Sequence, residues 1–383
     1  MTTYRANPDF MQELKEYGDL DIEACFNCGN CTAVCPLSTE SDNFPRRMIR
    51  YAQLGLEDEL LSSKELWMCL YCGECTKTCP READPGEYMA AARRFAIAKY
   101  DRTGIAKRLY TSAAFNVISL LVLAVVFGVF LYSYHGTMPM GTPIKFFEFI
   151  PSPLIHNLGI TAGVIVAITA LLGMTTMVID LNKHTDYPEG SKLNWWQALW
   201  EAVGVESLGQ KSYRSDCETY NPEEKPWYLQ KWFAHASVMW GFIGLFVTTA
   251  INYLLELLHV KETGTYMAVW HPIRLLGILS GVLLVYGTTE LIRRRWKKED
   301  ESYTHSTPSD WSFLILMWLA GVTGFALDIA VYLPMAQIWG YWMLLIHLIV
   351  IGELLLLAPF TKFAHAVYRI IALYFYALKP VKE

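Results

Sequence analysis

Two stretches of the chain have the residue types and spacing for metal chemistry: Cys25-x2-Cys28-x2-Cys31-x3-Cys35-Pro36 and Cys69-x2-Cys72-x2-Cys75-x3-Cys79-Pro80. Three thiolates at this spacing wrap one corner of an iron–sulfur cubane. The fourth, displaced by three residues and followed by proline, reaches over to a second cluster. The expected ligand sets are Cys25, Cys28, Cys31 and Cys79 for one [4Fe–4S] cluster, and Cys69, Cys72, Cys75 and Cys35 for the other. Gly29 and Gly73 occupy matching places in the two loops, where a missing Cβ permits left-handed backbone and lets amide groups approach cluster sulfur. Structural zinc sites favour separated Cys-x2-Cys pairs, which argues against zinc here. Cys217 stands apart beside Asp216 and Glu218 and reads as a free surface thiol.

The histidines suggest a second redox group. A haem b in a helical bundle needs two axial imidazoles, from different helices, at one depth. His235 lies near one end of the third apolar span and His365 just past the same end of the sixth, which pairs them around an inner haem. His347 precedes His365 by five helical turns, roughly 27 Å along one face, and is expected to hold an outer haem. His156 is its preferred partner, with His271 and His259 as alternatives, so two haems b are expected and one is possible. Glu353 and Asp328 are ionisable groups at membrane depth, the expected sites of proton exchange with a quinone. His135, His184 and His305 fall in connections and read as solvated side chains.

These ligands require a scaffold that is soluble at one end and apolar beyond it. Residues 1–108 hold eight of the nine cysteines and form the expected cluster domain, in which Met48 to Leu61 shows helical periodicity. Residues 109–361 contain six segments of membrane-spanning length, roughly Ala113–Tyr132, Leu158–Leu181, Phe233–Leu257, Ile273–Ile292, Phe313–Leu333 and Trp339–Phe360. A polar loop, 182–231, carries Trp195, Trp196 and Trp200, and residues 362–383 form an expected interfacial helix. The fold class is mainly α: a helical two-[4Fe–4S] ferredoxin-like domain followed by a six-helix transmembrane haem b bundle.

Lys107 and Arg108 before the first span, and Arg293 to Arg295 with Lys297 and Lys298 after the fourth, place both termini in the cytoplasm of an inner-membrane protein. The first 24 residues lack a basic stretch leading into an apolar one, so the cysteines are expected in a reducing compartment. A net charge of −5, spread over both halves, leaves no footprint for nucleic acid. No G-x-G-x-x-G follows a strand pattern, so no dinucleotide is expected. Clusters and haems move single electrons whereas a quinone exchanges two with protons. The parts therefore read as a wire, its substrate chemistry left to a partner such as a flavoprotein.

The segments Cys25-Phe-Asn-Cys28-Gly-Asn-Cys31-Thr-Ala-Val-Cys35-Pro36 and Trp67-Met-Cys69-Leu-Tyr-Cys72-Gly-Glu-Cys75-Thr-Lys-Thr-Cys79-Pro80 resemble the C subunit of heterodisulfide reductases. The membrane half resembles the E subunit of those enzymes, which holds haem b, and, more remotely, the gamma subunit of respiratory nitrate reductase. In the latter one helix carries two ligands eighteen residues apart, as His347 and His365 are here, and a second helix carries both partners. This chain departs from that pattern: ten residues after His235 stands Leu245. Fusion of both parts is similar to the C subunit of the quinone-interacting membrane-bound oxidoreductase complex. That resemblance implies electrons from menaquinol, flavin- and iron–sulfur-containing A and B subunits as partners, and adenylylsulfate reductase as acceptor in sulfate respiration. The alternatives are a heterodisulfide-reductase-like complex linking quinone to thiol/disulfide chemistry, a ferredoxin-linked quinone reductase, and a structural membrane anchor without electron transfer.

Overall fold

The computed structural model describes residues 5–39, 42–183, 192–216, 225–333 and 337–380; His184 and Cys217 lie outside them. Among the described residues no sheet forms, and one isolated bridge joins Leu193 to Pro380. The N-terminal part is built of short helices: α1 (Phe10–Lys15), α2 (Asn30–Val34), α3 (Arg46–Gln53), α4 (Glu57–Leu61), α5 (Glu65–Met68), α6 (Glu74–Lys77), α7 (Pro85–Tyr100) and α8 (Ile105–Thr111). The stretch read as one helix from Met48 to Leu61 is two. Gly55, at φ +71°, turns the chain between α3 and α4, and a Cβ there would stand 2.3 Å from Asn7 O. Periodicity continued across this break because the apolar residues on both sides face the same core.

The second part holds α9 (Ala113–Ser133), α10 (Phe146–Phe149), α11 (Ser152–Asn182), α12 (Trp195–Trp200), α13 (Lys211–Asp216), α14 (Lys231–Leu257), α15 (Pro272–Lys297), α16 (Pro308–Tyr332), α17 (Gln337–Leu357) and α18 (Ala364–Ala377). Among the described residues six segments are long and apolar enough to cross a membrane, the last running from α17 into α18. A 3-10 turn, Ala358–Phe360, interrupts that last segment, where Pro359 removes an amide donor. The expected division at residue 108 falls inside α8; Ser112, capping α9 by accepting from Phe115 N, marks the break between the helices. The polar loop is partly helical, with a π-helical turn at Glu201–Leu208 between α12 and α13.

Close packing fixes α14 against α15. A Cβ at Gly241 would lie 2.6 Å from Leu284 N, and one at Gly287 2.5 Å from Ala234 O, so only glycine lets these backbones touch. On the outer face of α9, Leu121, Val125 and Val129 stand exposed at helical spacing, as lipid-facing residues do. The short helices cap one end of the bundle. One apolar core runs from Phe10, Met48, Trp67 and Phe95 through Tyr100 to Met177 and Leu181 of α11, Leu357 of α17 and Tyr368 and Phe375 of α18. The C-terminal helix, expected at a membrane interface, is thus packed against the cysteine domain.

A buried ion cluster seals the same junction. Asp310, in the first turn of α16 and 5% exposed, pairs with Arg94 of α7 at 3.2 Å and Lys362 at 2.8 Å. Arg94 also binds Glu87 at 2.7 Å, and Tyr71 of the second cysteine loop donates to Glu87 at 2.8 Å. Asp310 closes a capping box with Thr307, which anchors the start of α16 to this cluster. His305, read as solvated, instead lies 3.1 Å from Asp84, the N-cap of α7.

Candidate electron-transfer site

The two cysteine loops repeat in backbone as well as in spelling. Gly29 (φ +91°) begins α2 and Gly73 (φ +87°) begins α6; two residues before each, Asn27 (φ +65°) and Tyr71 (φ +57°) are also left-handed. Left-handed residues thus stand on either side of both Cys28 and Cys72. The glycines were legible in the sequence. Asn27 and Tyr71 were not, because asparagine and tyrosine do not announce positive φ.

Cys35, Cys69, Cys72 and Cys75 line one cavity, with Pro36, Tyr71 and Met89. Cys75 lies within electrostatic reach of Cys69, Cys72 and Cys35, and also of Cys31, so the loops are neighbours. Cys31 has Cys25 and Cys28 around it. Arg81, just past Cys79-Pro80, donates to Ala24 O at 3.3 Å, which draws the end of the second motif to the start of the first. Burial pushes the Cys35 thiol up to about 12 and raises those of Cys31 and Cys75, so bare thiolates are disfavoured at these positions. Among the described residues no three His, Cys, Asp or Glu side chains close around a single metal ion.

At the capped end of the bundle His235 of α14 and His365 of α18 face each other, ring centroids 6.5 Å apart and planes inclined by 59°. An iron held between two imidazole nitrogens, each about 2 Å away, would set the rings roughly 6 Å apart, close to the separation seen here. His365 Nδ1 lies 2.5 Å from Lys362 O, which fixes the ring and turns Nε2 inward. His235 Nδ1 lies 3.0 Å from Gln210 Nε2, while Gln210 Oε1 is buried with no partner. Turning the Gln210 amide gives Oε1 the Nδ1–H as donor and leaves His235 Nε2 its lone pair. Nothing in the spelling of the loop pointed to Gln210, which stands just after the π-helical turn at φ +50°.

The outer candidates are held differently. His347 Nδ1 meets Thr323 Oγ1 of α16 at 2.7 Å. His156 packs on Tyr253 at 4.6 Å and lies 3.4 Å from Ser152 Oγ. His271 is the N-cap of α15, its Nδ1 buried without a partner. No described contact joins His347 to His156 or His271. His259 follows α14 at φ +55°. Leu245 packs with the middle core around Val350 and Leu354. Asp328 pairs with Arg274, which also donates to Met267 O at 2.6 Å. Glu353 is 5% exposed and its Oε1 has no hydrogen-bond partner among the described residues.

Residues 21–83 match the 4Fe-4S dicluster domain, and residues 104–382 match the family model described as citrate utilization protein B. The chain is 35% identical over 125 residues to the iron-sulfur C subunit of the CoB--CoM heterodisulfide reductase of Methanopyrus kandleri, covering 30% of this chain and 60% of that one. It is 40% identical over 60 residues to the C subunit of the H(2):CoB-CoM heterodisulfide,ferredoxin reductase of Methanothermobacter thermautotrophicus, covering 16% and 32%. It is 38% identical over 88 residues to a protein of Archaeoglobus profundus described as like the heterodisulfide reductase C subunit, covering 23% and 47%. The chain thus spans between a third and three fifths of the length of these relatives. No solved structure matches it. The cysteine domain is like the C subunit of a heterodisulfide reductase, and through the helical bundle joined to it the chain belongs to the citrate utilization protein B family.

Proposed function

We propose that this chain is the membrane subunit of an electron-transferring oxidoreductase complex, passing electrons between a membrane quinone and a soluble partner that carries flavin or iron–sulfur groups. One observation carries the reading: α18 presents His365 to His235 and, one turn on, Arg369 to the backbone of Cys69, so the two expected redox sites share a helix. Bound clusters and haem supply one-electron chemistry. The residues supply the rest. Cys25, Cys28, Cys31 and Cys79, and Cys69, Cys72, Cys75 and Cys35, hold the two [4Fe–4S] clusters, while His235 and His365 hold one haem b. Glu353, buried, and His347, half-buried, form the quinone side and move its protons; Asp328, neutralised by Arg274, positions that end of α15. His347 with His156 or His271 as a second haem site would require His347 to leave Thr323.

The relatives named above favour a heterodisulfide-reductase-like complex, with thiol/disulfide chemistry in the partner, over adenylylsulfate reductase as the end point. The family name supports a second reading, in which the partner dehydrogenates a tricarboxylate that carries hydrogen on two adjacent carbons, and the electron pair runs toward the quinone. The capped end of the bundle, with its basic helix ends, would face the cytoplasm, leaving both termini there.

The test is a haem and iron count on the purified chain, then addition of a menaquinol analogue while following the haem α-band and the cluster EPR. One haem and about eight non-haem irons, all reducible by quinol, are expected. Clusters present without a haem signal would leave an anchor or a direct quinone-to-cluster route. With partner subunits attached, oxidation of the reduced chain by a disulfide selects the first reading. Its reduction by a tricarboxylate selects the second.

A further inference from the structure

Two guanidinium groups converge on the second cysteine loop from different parts of the chain. Arg93, on α7, donates to Cys69 O at 2.9 Å and lies over the Tyr71 ring at 5.7 Å. Arg369, on α18, donates to Trp67 O at 2.8 Å, Met68 O at 3.2 Å and Cys69 O at 3.4 Å. Both spend their hydrogen bonds on carbonyl oxygens, which bring no negative charge. Glu206, whose charge reaches Arg369, has its own oxygens on Ser212 N and Oγ at 3.3 and 3.0 Å. Two half-buried positive charges therefore stand beside Cys69 with little to offset them except sulfur. A [4Fe–4S] cluster with four thiolates is anionic, and gains another negative charge on reduction. Cations at this distance, shielded from water, favour the reduced form more strongly than surface cations do.

The first loop is arranged otherwise. Phe26, Asn27 and Cys28 are exposed, and Arg81, which reaches Ala24 O, is exposed as well. Arg46, half-buried, stands beside Gly29, a Cβ on which would lie 3.3 Å from its guanidinium, but among the described residues it makes no hydrogen bond to that loop's carbonyls.

Resting on the reading above, we propose that Arg93 and Arg369 make the cluster held by Cys69, Cys72, Cys75 and Cys35 the more easily reduced of the two, and the one that exchanges electrons with the membrane half. His365 and Arg369 are one turn apart on α18, about 6 Å along its axis. The Trp67 ring packs on Tyr368 at 5.2 Å between them. The cluster of the exposed loop is then the one that meets the soluble partner. Each transfer moves one electron: the reduced donor loses it, the cluster gains it, and no atom changes hands. A quinol, giving up two electrons and two protons, delivers its pair in two such steps. Arg369 is a positioning and potential-setting residue here, acting through the Cys69 backbone and its field.

The test is a mediated redox titration followed by EPR on the full chain in its membrane. The signal that disappears in Cys75→Ser identifies the second cluster. In Arg369→Gln its midpoint potential falls while the other cluster stays where it was, and Arg369→Lys recovers most of the loss. Arg93→Gln, on a different helix, repeats the fall without touching α18, which covers the case in which Arg369→Gln fails to assemble. An unmoved second cluster in both variants, or a shift confined to the first, overturns the proposal. Because mediators deliver the electrons, the fall appears even in a chain that no quinol reduces. That result would sink the electron-wire reading and leave the inference about the arginines standing.

Discussion

The two cysteine loops share a spelling, a pair of left-handed residues and a short helix, yet they differ in surroundings. Phe26 in the first is 61% exposed and Cys28 is open to solvent, whereas Leu70 in the second is 8% exposed and the loop lies under α7 and α18. A repeated motif sets what each loop binds; its neighbours set how the bound group behaves. Hydrogen bonds, local charge and solvent exposure are the levers on a cluster's potential. The loops differ in exposure, and in which arginines stand beside them: Arg93 and Arg369 at the second, Arg46 and Arg81 at the first.

The sharpest break in that comparison comes from the ligands. Cys75→Ser should halve the non-haem iron from about eight to about four atoms, leaving the first cluster's EPR signal. Cys79→Ser, in the second motif, should remove the first cluster; loss of the second instead would end the cross-ligation scheme. His365→Ala should abolish the haem α-band while sparing both clusters, and an unchanged haem-to-protein ratio would move the ligand elsewhere. Gln210→Leu should leave the haem bound but weaken it, seen as a lower retained haem fraction after washing with detergent, because outer partners of ligating histidines tune metal affinity about 10–100-fold.

Smaller effects test how the buried loop is held to the bundle. Arg94→Met strands Glu87 and Asp310 without their shared cation, and loss of one member of a buried pair costs about 3–5 kcal/mol. The cooperative melting of the cysteine domain should drop accordingly, and the second loop should become open to protease before the first. Thr307→Ala removes the α16 cap at the same junction, for about 1 kcal/mol in the same melt. Lys77→Ala breaks a solvent-exposed i,i+3 pair with Glu74 and should move the melt by less than about 0.5 kcal/mol.

Much of this was legible before any fold was known. The Cys-x2-Cys-x2-Cys-x3-Cys-Pro repeats constrain chemistry by covalent spacing alone, and spans such as Ala113–Ser133 follow from length and apolarity, which a bilayer demands of any helix. His235 and His365 were paired by depth, since a helix converts residue number into height. The convergence of Arg369 on Cys69, 300 residues away, carries no such signal, nor does that of Gln210 on His235. The break at Gly55 was hidden because both halves turn their apolar sides to one core. What the sequence by itself determined was therefore local: cysteine spacing, helix lengths and the height of each histidine. The tertiary structure alone decided which loop is the more covered, which charges stand over it and that α18 brings His365 to His235 and Arg369 to Cys69, because those depend on contacts between segments far apart in the chain, which no periodicity records.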